Sequence, residues 1–305
     1  NISIHPGRHV TWYGNDFQRE RALACLTGLL GAVGVKGGLV LPIGPKGLKG
    51  SKWPESEGHG EGNLREMQDV HHYHPPGTPT DLIRDAAISG QPYPIKGCFI
   101  YGQNMIQTIP GQEKTIKMLE QMDFVMCVDI MPTDVTMYAD ILLPDCSYLE
   151  KYDYMKTGTQ WDLSAEQQQY IAPRMALVEP GFERKDCVWI TNELAKRMGY
   201  GDKIPVASQE ENLNKMLEGV GLSLDTIREE AGIHVQPGKD PYNKTEDLLI
   251  YFYSEDMEDY GYPAIPTYIP VEQPPAGFMR LLYGRTPLHT FNRSINNPWL
   301  IHEAP

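Results

Sequence analysis

The sequence predicts an α/β fold built around a parallel sheet, and three features of residues 95–150 indicate it. Residues 98–101 and 124–128 are short, unbroken apolar runs, which are typical of strands covered on both faces. Between them, residues 112–122 place apolar side chains at helical spacing, with lysines on the opposite side. A third apolar run, residues 139–143, follows a short helical segment and stops at Pro144. The order strand, crossover helix, strand is that of a parallel sheet.

Polar residues follow the first two runs, where a parallel sheet leaves its ligand crevice. Gly102, Gln103 and Asn104 come after the first run, and Asp129 closes the second. Asn104 and Thr108 suit hydrogen bonds to a pterin or a phosphate, and Asp129 suits a ribose hydroxyl or a guanine edge. A structural interpretation is also open, in which Asn104 caps a turn and Asp129 simply ends a strand.

Charge and composition argue against two classes of partner. The chain has 305 residues, enough for about two domains, and a net charge of −13 with a pI near 5.1. Nucleic-acid binding requires clustered cations, so this balance disfavours it. No apolar run reaches the length of a membrane span, so we expect no direct membrane insertion. The five cysteines have no close spacing, which favours buried free thiols over a cluster motif or a disulfide framework.

The first 90 residues are interpreted as a helix followed by a long loop. Residues 9–13 look strand-like, and a helix is expected to begin at Asn15, capped by that residue with Gln18 as the reciprocal partner. Its predicted apolar face consists of Ala22, Leu23, Leu26, Leu29, Leu30 and Val33. Residues 39–90 are rich in glycine and proline, as irregular loops are. The histidines at 71, 72 and 74 are interpreted as solvent-facing rather than as a metal site.

The second half of the chain carries weaker signals. Residues 145–162 offer Lys156, Thr159 and Asp162 as candidate contacts, although a solvated turn explains them equally well. A helix is predicted over residues 184–198, with Trp189, Ile190, Leu194 and Met198 as its buried side. Two further helical stretches, residues 209–218 and 224–231, lead into an acidic, tyrosine-rich segment and a proline-rich connector over residues 263–275.

Several segments in fixed order resemble one known family. QPYPIKG, YGQN, DFVMCVDIMPTDVT, ADILLP and YLEKYD occur in this order between residues 91 and 153. The set resembles the molybdopterin oxidoreductases of the dimethyl sulfoxide reductase superfamily, most closely the polysulfide and thiosulfate reductase catalytic subunits. The resemblance covers residues 5–199 and resumes over residues 283–298, in the block GRTPLHTFNRSINNP. Asp134 and Thr136 depart from the family pattern, which usually has a glutamate and a small residue there.

The resemblance implies Rossmann-like parallel sheet layers and the start of a C-terminal β-barrel-like domain. The implied divisions are the end of one Rossmann-like domain (1–38), a covering loop (39–90), a domain binding molybdopterin guanine dinucleotide (91–200), a helical insert with an acidic and proline-rich linker (201–275), and the truncated start of the capping domain (276–305). It also implies that these residues are the central part of a longer polypeptide.

The resemblance further implies a set of cofactor-binding residues. Arg285 and Arg293 suit phosphates, because a guanidinium offers a fixed fork of donors, while His289 and Asn296 suit pterin edges. The complete expected set is Gly102, Gln103, Asn104, Thr108, Asp129, Thr133, Asp162, Arg285, Thr286, His289, Arg293 and Asn296. No catalytic residue and no molybdenum ligand is identified in these 305 residues.

The implied activity is two-electron reduction of polysulfide, thiosulfate or tetrathionate at molybdenum bis(molybdopterin guanine dinucleotide). The family's 4Fe–4S cluster is expected only in a preceding region. Expected partners are an iron–sulfur electron-transfer subunit and a quinone-reactive membrane anchor, which would hold the protein peripherally on the outer, periplasmic face of the cytoplasmic membrane. Two alternatives stay open: a molybdenum-free scaffold subunit of a respiratory membrane complex, and an arsenic or selenium oxyanion enzyme of the same superfamily.

Overall fold

The computed structural model describes residues 2–4, 15–39, 44–54, 80–161, 167–237, 250–281, 288–289, 294 and 297–303. The chain divides into two compact units, one formed by Asn1–Leu41 with Pro241–Pro305 and the other by Pro42–Asp240. The described helices are α1 Asp16–Leu29, α2 Thr80–Ser89, α3 Met105–Thr108, α4 Gln112–Gln121, α5 Cys187–Arg197, α6 Gln209–Glu218, α7 Leu224–Glu229, α8 Glu255–Asp259 and α9 Pro298–Glu303. The described strands are β1 Gly97–Tyr101, β2 Phe124–Asp129, β3 Ile141–Pro144, β4 Met155–Trp161, β5 Gln167–Pro173 and β6 His234–Pro237.

A parallel sheet with the order β1-β2-β3 forms the first core of the larger unit. Helix α4 crosses from β1 to β2, and a 3₁₀ helix, Asp134–Tyr138, precedes β3. Met118 and Leu119 of α4 pack with Val125 and Cys127 of β2 in one buried cluster. Burying an apolar side chain of this size stabilises the fold by roughly 1.5–3 kcal/mol. The predicted α/β arrangement is therefore confirmed over residues 97–144.

Coverage on both faces is confirmed for the central strand alone. Met126 and Val128 of β2 point to the opposite face from Val125 and Cys127, and all four are buried. In the flanking strands, Phe99 of β1 and Ile141, Leu142 of β3 are exposed. The expectation of fully covered strands is wrong for β1 and β3 in this structure. An apolar run shows that a strand can be buried, but it does not show which element covers it.

A second, antiparallel sheet of order β4-β5-β6 was missed by the sequence analysis. Residues 155–161, for which a solvated turn was one of two interpretations, pair with β5 along their full length. Ile171 of β5 packs into a buried cluster with Leu213 and Leu217 of α6 and with Leu224 and Ile227 of α7. The strands are rich in threonine and glutamine, so they lack the apolar run that marked the first sheet.

Helix α1 begins where it was predicted, but its cap and its packing face differ. Asn15 adopts a left-handed conformation with φ 43° and makes no capping bond. Its Nδ2 instead donates to the carbonyl oxygen of Thr267, at 3.0 Å. The predicted partner, Gln18, accepts a hydrogen bond from Arg21 Nη1 at 2.9 Å. The capping box is therefore wrong, because both side chains bind other groups.

The predicted apolar face of α1 is also wrong, since three of its leucines are exposed. Leu29 is 72% exposed, and Leu26 and Leu30 are exposed as well. The helix instead packs through its small and polar side, where Gln18 and Thr27 are buried. A Cβ at Gly28 would lie 3.3 Å from the Ile250 side chain, so a larger residue there would require Ile250 to shift.

Other local expectations have mixed outcomes. Helix α5 is capped by Asp186, whose carboxylate accepts from Trp189 N at 2.9 Å. Ile190 is buried as predicted, but Trp189 and Met198 are exposed, so that part of the predicted buried side is wrong. Its place is taken by Asn192, a buried polar residue that donates to the carbonyl oxygens of Val206 and Ala207. Helical periodicity cannot identify a buried side built on a polar residue.

The predicted loop at residues 39–90 contains helix α2, which the sequence analysis missed, and residues 266–275 form no helix or strand. All five cysteines are free, as predicted; Cys127 and Cys146 are buried and the other three are partly buried. The histidines at 71–74, the strand at 9–13 and most of the block expected to open a barrel-like domain lie outside the described residues. Within the described part of the chain, no helix is both long and apolar enough to span a bilayer.

Candidate functional site

The turns that follow β1 and β2 meet at one edge of the parallel sheet. Gly102 N donates to the carbonyl oxygen of Val128 at 2.9 Å, which holds the first turn beside the end of β2. Gly102 has φ +59°, a left-handed backbone conformation that residues other than glycine rarely adopt. No heavy atom lies within 4 Å of the position that its Cβ would occupy. The turn is thus tied to the sheet on one side and open on the other.

Asn104 links this turn to the segment that follows β2. Its Nδ2 donates to Asp134 Oδ2 at 2.9 Å. Its Oδ1 is buried and has no hydrogen-bond partner in the described structure. Burying an acceptor without a donor is costly, so this oxygen is suited to receive a hydrogen bond from a ligand.

Asp134 is held in its ionised form by this contact. The hydrogen bond from the Asn104 side chain, and next that from Gln107, lower the pKa of the Asp134 carboxyl group below its ordinary value. The carboxylate is exposed at the edge of the turn. An ionised carboxylate only accepts hydrogen bonds, so Asp134 adds a negative acceptor to the site.

The expected residues Thr108 and Thr133 are engaged in local structure. Thr108 Oγ1 donates to the carbonyl oxygen of Asn104 at 2.9 Å, so its proton is committed within the turn. Thr133 N donates to Thr136 Oγ1 at 3.0 Å, where the 3₁₀ helix begins, while its own Oγ1 is buried without a partner in the described structure. Both residues therefore shape the two loops that carry Asn104 and Asp134.

Asp129 lies at the end of β2, where it was predicted. Its Oδ1 accepts from Ile130 N at 2.7 Å, and its carbonyl oxygen accepts from Asp145 N at 3.0 Å. A carboxylate has about four acceptor positions, so this side chain retains capacity for a ligand. With Asn104 and Asp134, it makes an acceptor-rich site. Such a site matches ring N–H groups and ribose hydroxyls better than it matches phosphate.

A polar cluster, formed by Tyr101, Asp145 and Lys151 around the buried Asp145 carboxylate, lies at the same ends of the strands. Tyr101 OH donates to Asp145 Oδ2 at 2.8 Å, and Lys151 Nζ lies 2.6 Å from that oxygen and 2.9 Å from the phenol. The side chains of Lys151 and Asp145 are 12% and 5% exposed. Burial, and next the hydrogen bond to Asp145, raise the pKa of Tyr101 far above its ordinary value. The sequence analysis missed this cluster, since its members are up to 50 positions apart.

Of the remaining expected residues, the structure describes Gln103 and His289. Asp162, Arg285, Thr286, Arg293 and Asn296 lie outside the described residues. His289 belongs to the smaller unit, where its Nδ1 lies 3.3 Å from Ser294 Oγ. Gln103 is exposed in the turn after β1. Among the residues whose positions are described, no group of three or more His, Cys, Asp or Glu side chains is arranged to hold a metal ion.

Comparison with known proteins gives a match to one family model. Residues 61–197 match the model described as "Molybdopterin oxidoreductase". This range contains both turns of the acceptor-rich site and the polar cluster of Tyr101, Asp145 and Lys151.

Individual relatives give partial matches. The thiosulfate reductase molybdopterin-containing subunit of Salmonella typhimurium is 34% identical over 123 residues, which are 40% of this chain and 15% of that protein. The dimethyl sulfoxide reductase of Escherichia coli is 32% identical over 110 residues, or 35% of this chain and 13% of that protein. The solved structure of acetylene hydratase from Pelobacter acetylenicus matches with a TM-score of 0.48 and 25% identity, covering 62% of this chain and 26% of that one. The chain thus spans about a quarter or less of the length of these proteins.

Proposed function

We propose, from the match of residues 61–197 to the molybdopterin oxidoreductase family model, that this polypeptide is part of the catalytic subunit of a molybdenum-dependent oxidoreductase. We propose two-electron reduction of a sulfur compound of the polysulfide, thiosulfate or tetrathionate class. The similarity to a thiosulfate reductase subunit, 34% over 123 residues, supports this choice of substrate.

The acceptor-rich site fits the nucleotide part of the expected cofactor. The single observation that carries this assignment is the Oδ1 of Asn104, which is buried and has no hydrogen-bond partner among the described residues. A guanine edge and a ribose each offer donors that would satisfy it, and Asp129 and Asp134 add two acceptors beside it. Molybdenum bis(molybdopterin guanine dinucleotide) would supply the two-electron redox chemistry when bound. The residues described here would orient it and satisfy its donors.

The proposed electron path and location extend beyond these residues. We propose that an iron–sulfur subunit delivers electrons, that a quinone-reactive membrane subunit anchors the complex, and that the enzyme works on the periplasmic side of the membrane. The net charge of −13 supports small-molecule and protein partners rather than nucleic acid. The β-barrel-like capping domain and the 4Fe–4S cluster belong to the same proposal.

The test is cofactor analysis of the purified native complex followed by assays with separate substrates. We expect molybdenum, a pterin and GMP released by acid hydrolysis, together with reduction of thiosulfate, polysulfide or tetrathionate by a chemical electron donor. A complex without molybdenum and pterin would contradict the proposal and favour the scaffold alternative. A loaded complex that reduces arsenate or selenate, but no sulfur compound, would leave the domain assignment intact and overturn the substrate class.

A further inference from the structure

The polar cluster of Tyr101, Asp145 and Lys151 connects the ends of two strands across the strand between them. Tyr101 is the last residue of β1, and Asp145 directly follows β3. In the register of the sheet, Val128 of β2 lies beside Tyr101 on one side and beside Leu143 on the other. The side-chain contact between Tyr101 and Asp145 therefore passes over the buried end of β2.

Backbone hydrogen bonds join this cluster to both loops of the acceptor-rich site. Asp145 N donates to the carbonyl oxygen of Asp129 at 3.0 Å, and Gly102 N donates to that of Val128 at 2.9 Å. Gly102 follows Tyr101 directly, and Asn104 is two residues further along. A displacement of Tyr101 would consequently displace the turn that positions Asn104.

The chemistry of the cluster indicates that it fixes the positions of its residues more than it stabilises the fold. The free energy of removing a lysine and a carboxylate from water offsets much of their electrostatic attraction. Replacing such a pair with apolar residues is therefore often neutral or stabilising. The raised pKa of Tyr101, due first to burial and then to Asp145, keeps the phenol protonated as a donor. Asp145 Oδ1 is buried without a partner in the described structure, so Lys151 is the cation that balances this carboxylate.

We propose that Tyr101, Asp145 and Lys151 act as a clamp that holds residues 102–104 in the geometry that binds the nucleotide of the cofactor. The three are positioning residues, since they act on the ligand through Gly102 and Asn104. The inference rests on the proposed function for the identity of the ligand. The mechanical part, which is that the clamp fixes the turn, stands independently of it.

The chain contains a matched control cluster with the same chemistry at the other core of the larger unit. Tyr152 OH donates to Glu210 Oε1 at 2.8 Å, and Arg228 Nη2 lies 2.5 Å from that phenol. Tyr152 packs against the cluster formed by Ile171 and the residues of α6 and α7. Tyr152→Phe thus removes a phenol between a carboxylate and a cation without touching the parallel sheet.

Amide hydrogen exchange of the full-length protein tests the mechanical part. We expect Tyr101→Phe and Lys151→Met to raise the exchange rate at residues 102–104 about tenfold, read at the Gly102 amide that donates to Val128; this corresponds to the loss of a hydrogen bond of about 1.4 kcal/mol. Lys151→Arg retains the cation, so its exchange rate at these residues should be near that of the wild type. Tyr152→Phe should leave the exchange at residues 102–104 unchanged. Unchanged exchange in Tyr101→Phe, or an equal increase in Tyr152→Phe, overturns the clamp.

Pterin retention by the purified holoprotein tests the link to the ligand. At a temperature below unfolding of all variants, we expect Tyr101→Phe to lose pterin about tenfold faster than Tyr152→Phe. Equal rates of loss would overturn the positioning role while leaving the proposed function intact. A wild-type protein that contains no pterin would overturn the proposed function and the assignment of the ligand held by the clamp. The exchange rates would then still decide whether the clamp fixes the turn.

Discussion

Asn104 and Asp134 join the two loops that follow neighbouring strands, through a hydrogen bond of 2.9 Å from Asn104 Nδ2 to Asp134 Oδ2. The bond uses the amide's donor, and its acceptor, Oδ1, is buried with no partner in the part of the chain that the structure describes. Asn104 is thus oriented by the protein itself, with its acceptor available to a ligand. A preorganised acceptor of this kind loses little freedom when a ligand binds.

Asn104→Ala should weaken retention of the guanine nucleotide about tenfold, because one hydrogen bond to the ligand and the link between the loops are both lost. The measurement is GMP released by acid hydrolysis, per mole of purified protein, after dialysis. Asn212→Ala is a suitable control, since Asn212 Oδ1 accepts from Ser51 N at 3.3 Å in a different part of the larger unit. Equal nucleotide retention in the two variants would contradict the role of Asn104.

The arrangement of β1, α4 and β2 could be predicted because its signals are local. Each strand is one apolar run, and α4 has an apolar side that repeats at helical spacing. The positions of Asn104 and Asp129 at the strand ends follow from the same pattern. Their pairing with other side chains does not, since Asn104 meets Asp134 across 30 positions of the chain.

The antiparallel sheet could not be predicted because its strands are stabilised mainly by their partners. Strand β4 has the sequence MKTGTQW, in which no apolar run or clear alternation occurs. Its pairing with β5, like the burial of Ile171, arises only when the chain has folded. The propensity of such a strand depends on its context. The link between Tyr101 and Asp145, 44 positions apart, escaped prediction for the same reason.

Gly102→Ala should destabilise the protein by about 1 kcal/mol, because alanine at φ +59° is strained even where its Cβ meets no atom. Gly97→Ala is the matched control, since its Cβ would make an ordinary contact of 3.5 Å with the carbonyl oxygen of Phe124. Urea denaturation of both variants measures the difference. A loss in Gly97→Ala as large as that in Gly102→Ala would show that the left-handed conformation is not the cause.

Glu150→Gln should reduce stability at pH 7, and the difference from the wild type should shrink as the pH falls. Hydrogen bonds from the backbone of Ser147, and then of Gly181, lower the pKa of the Glu150 carboxyl group, and Arg184 lies 2.7 Å away. Because the pKa of Glu150 is lower in the folded state, its ionised form stabilises the fold at any pH above the unfolded-state pKa of about 4.3. This stabilisation is lost as the pH falls through the lower, folded-state pKa. Thermal unfolding midpoints measured between pH 7 and pH 3 check the sign. A difference that grows toward pH 3 would rule out this cause.

Arg84→Met should cost the folded state about 3 kcal/mol or more, because it removes the hydrogen bonds of a buried guanidinium and leaves the buried Thr115 Oγ1 without its donor. Arg84 is 2% exposed, and its Nη1 donates to the carbonyl oxygens of Pro110 and Gly111 and to Thr115 Oγ1. These contacts fix helix α2 against the start of α4, which follows the turn that carries Asn104.

Arg228→Met is the control, since that guanidinium is far more exposed and should contribute about 1 kcal/mol or less. Urea denaturation measures both, and Arg84→Lys should fall between wild type and Arg84→Met, because an ammonium keeps the charge but lacks the planar fork of donors. Equal losses in Arg84→Met and Arg228→Met would mean that Thr115 Oγ1 and the two carbonyl oxygens find other donors when Arg84 is removed.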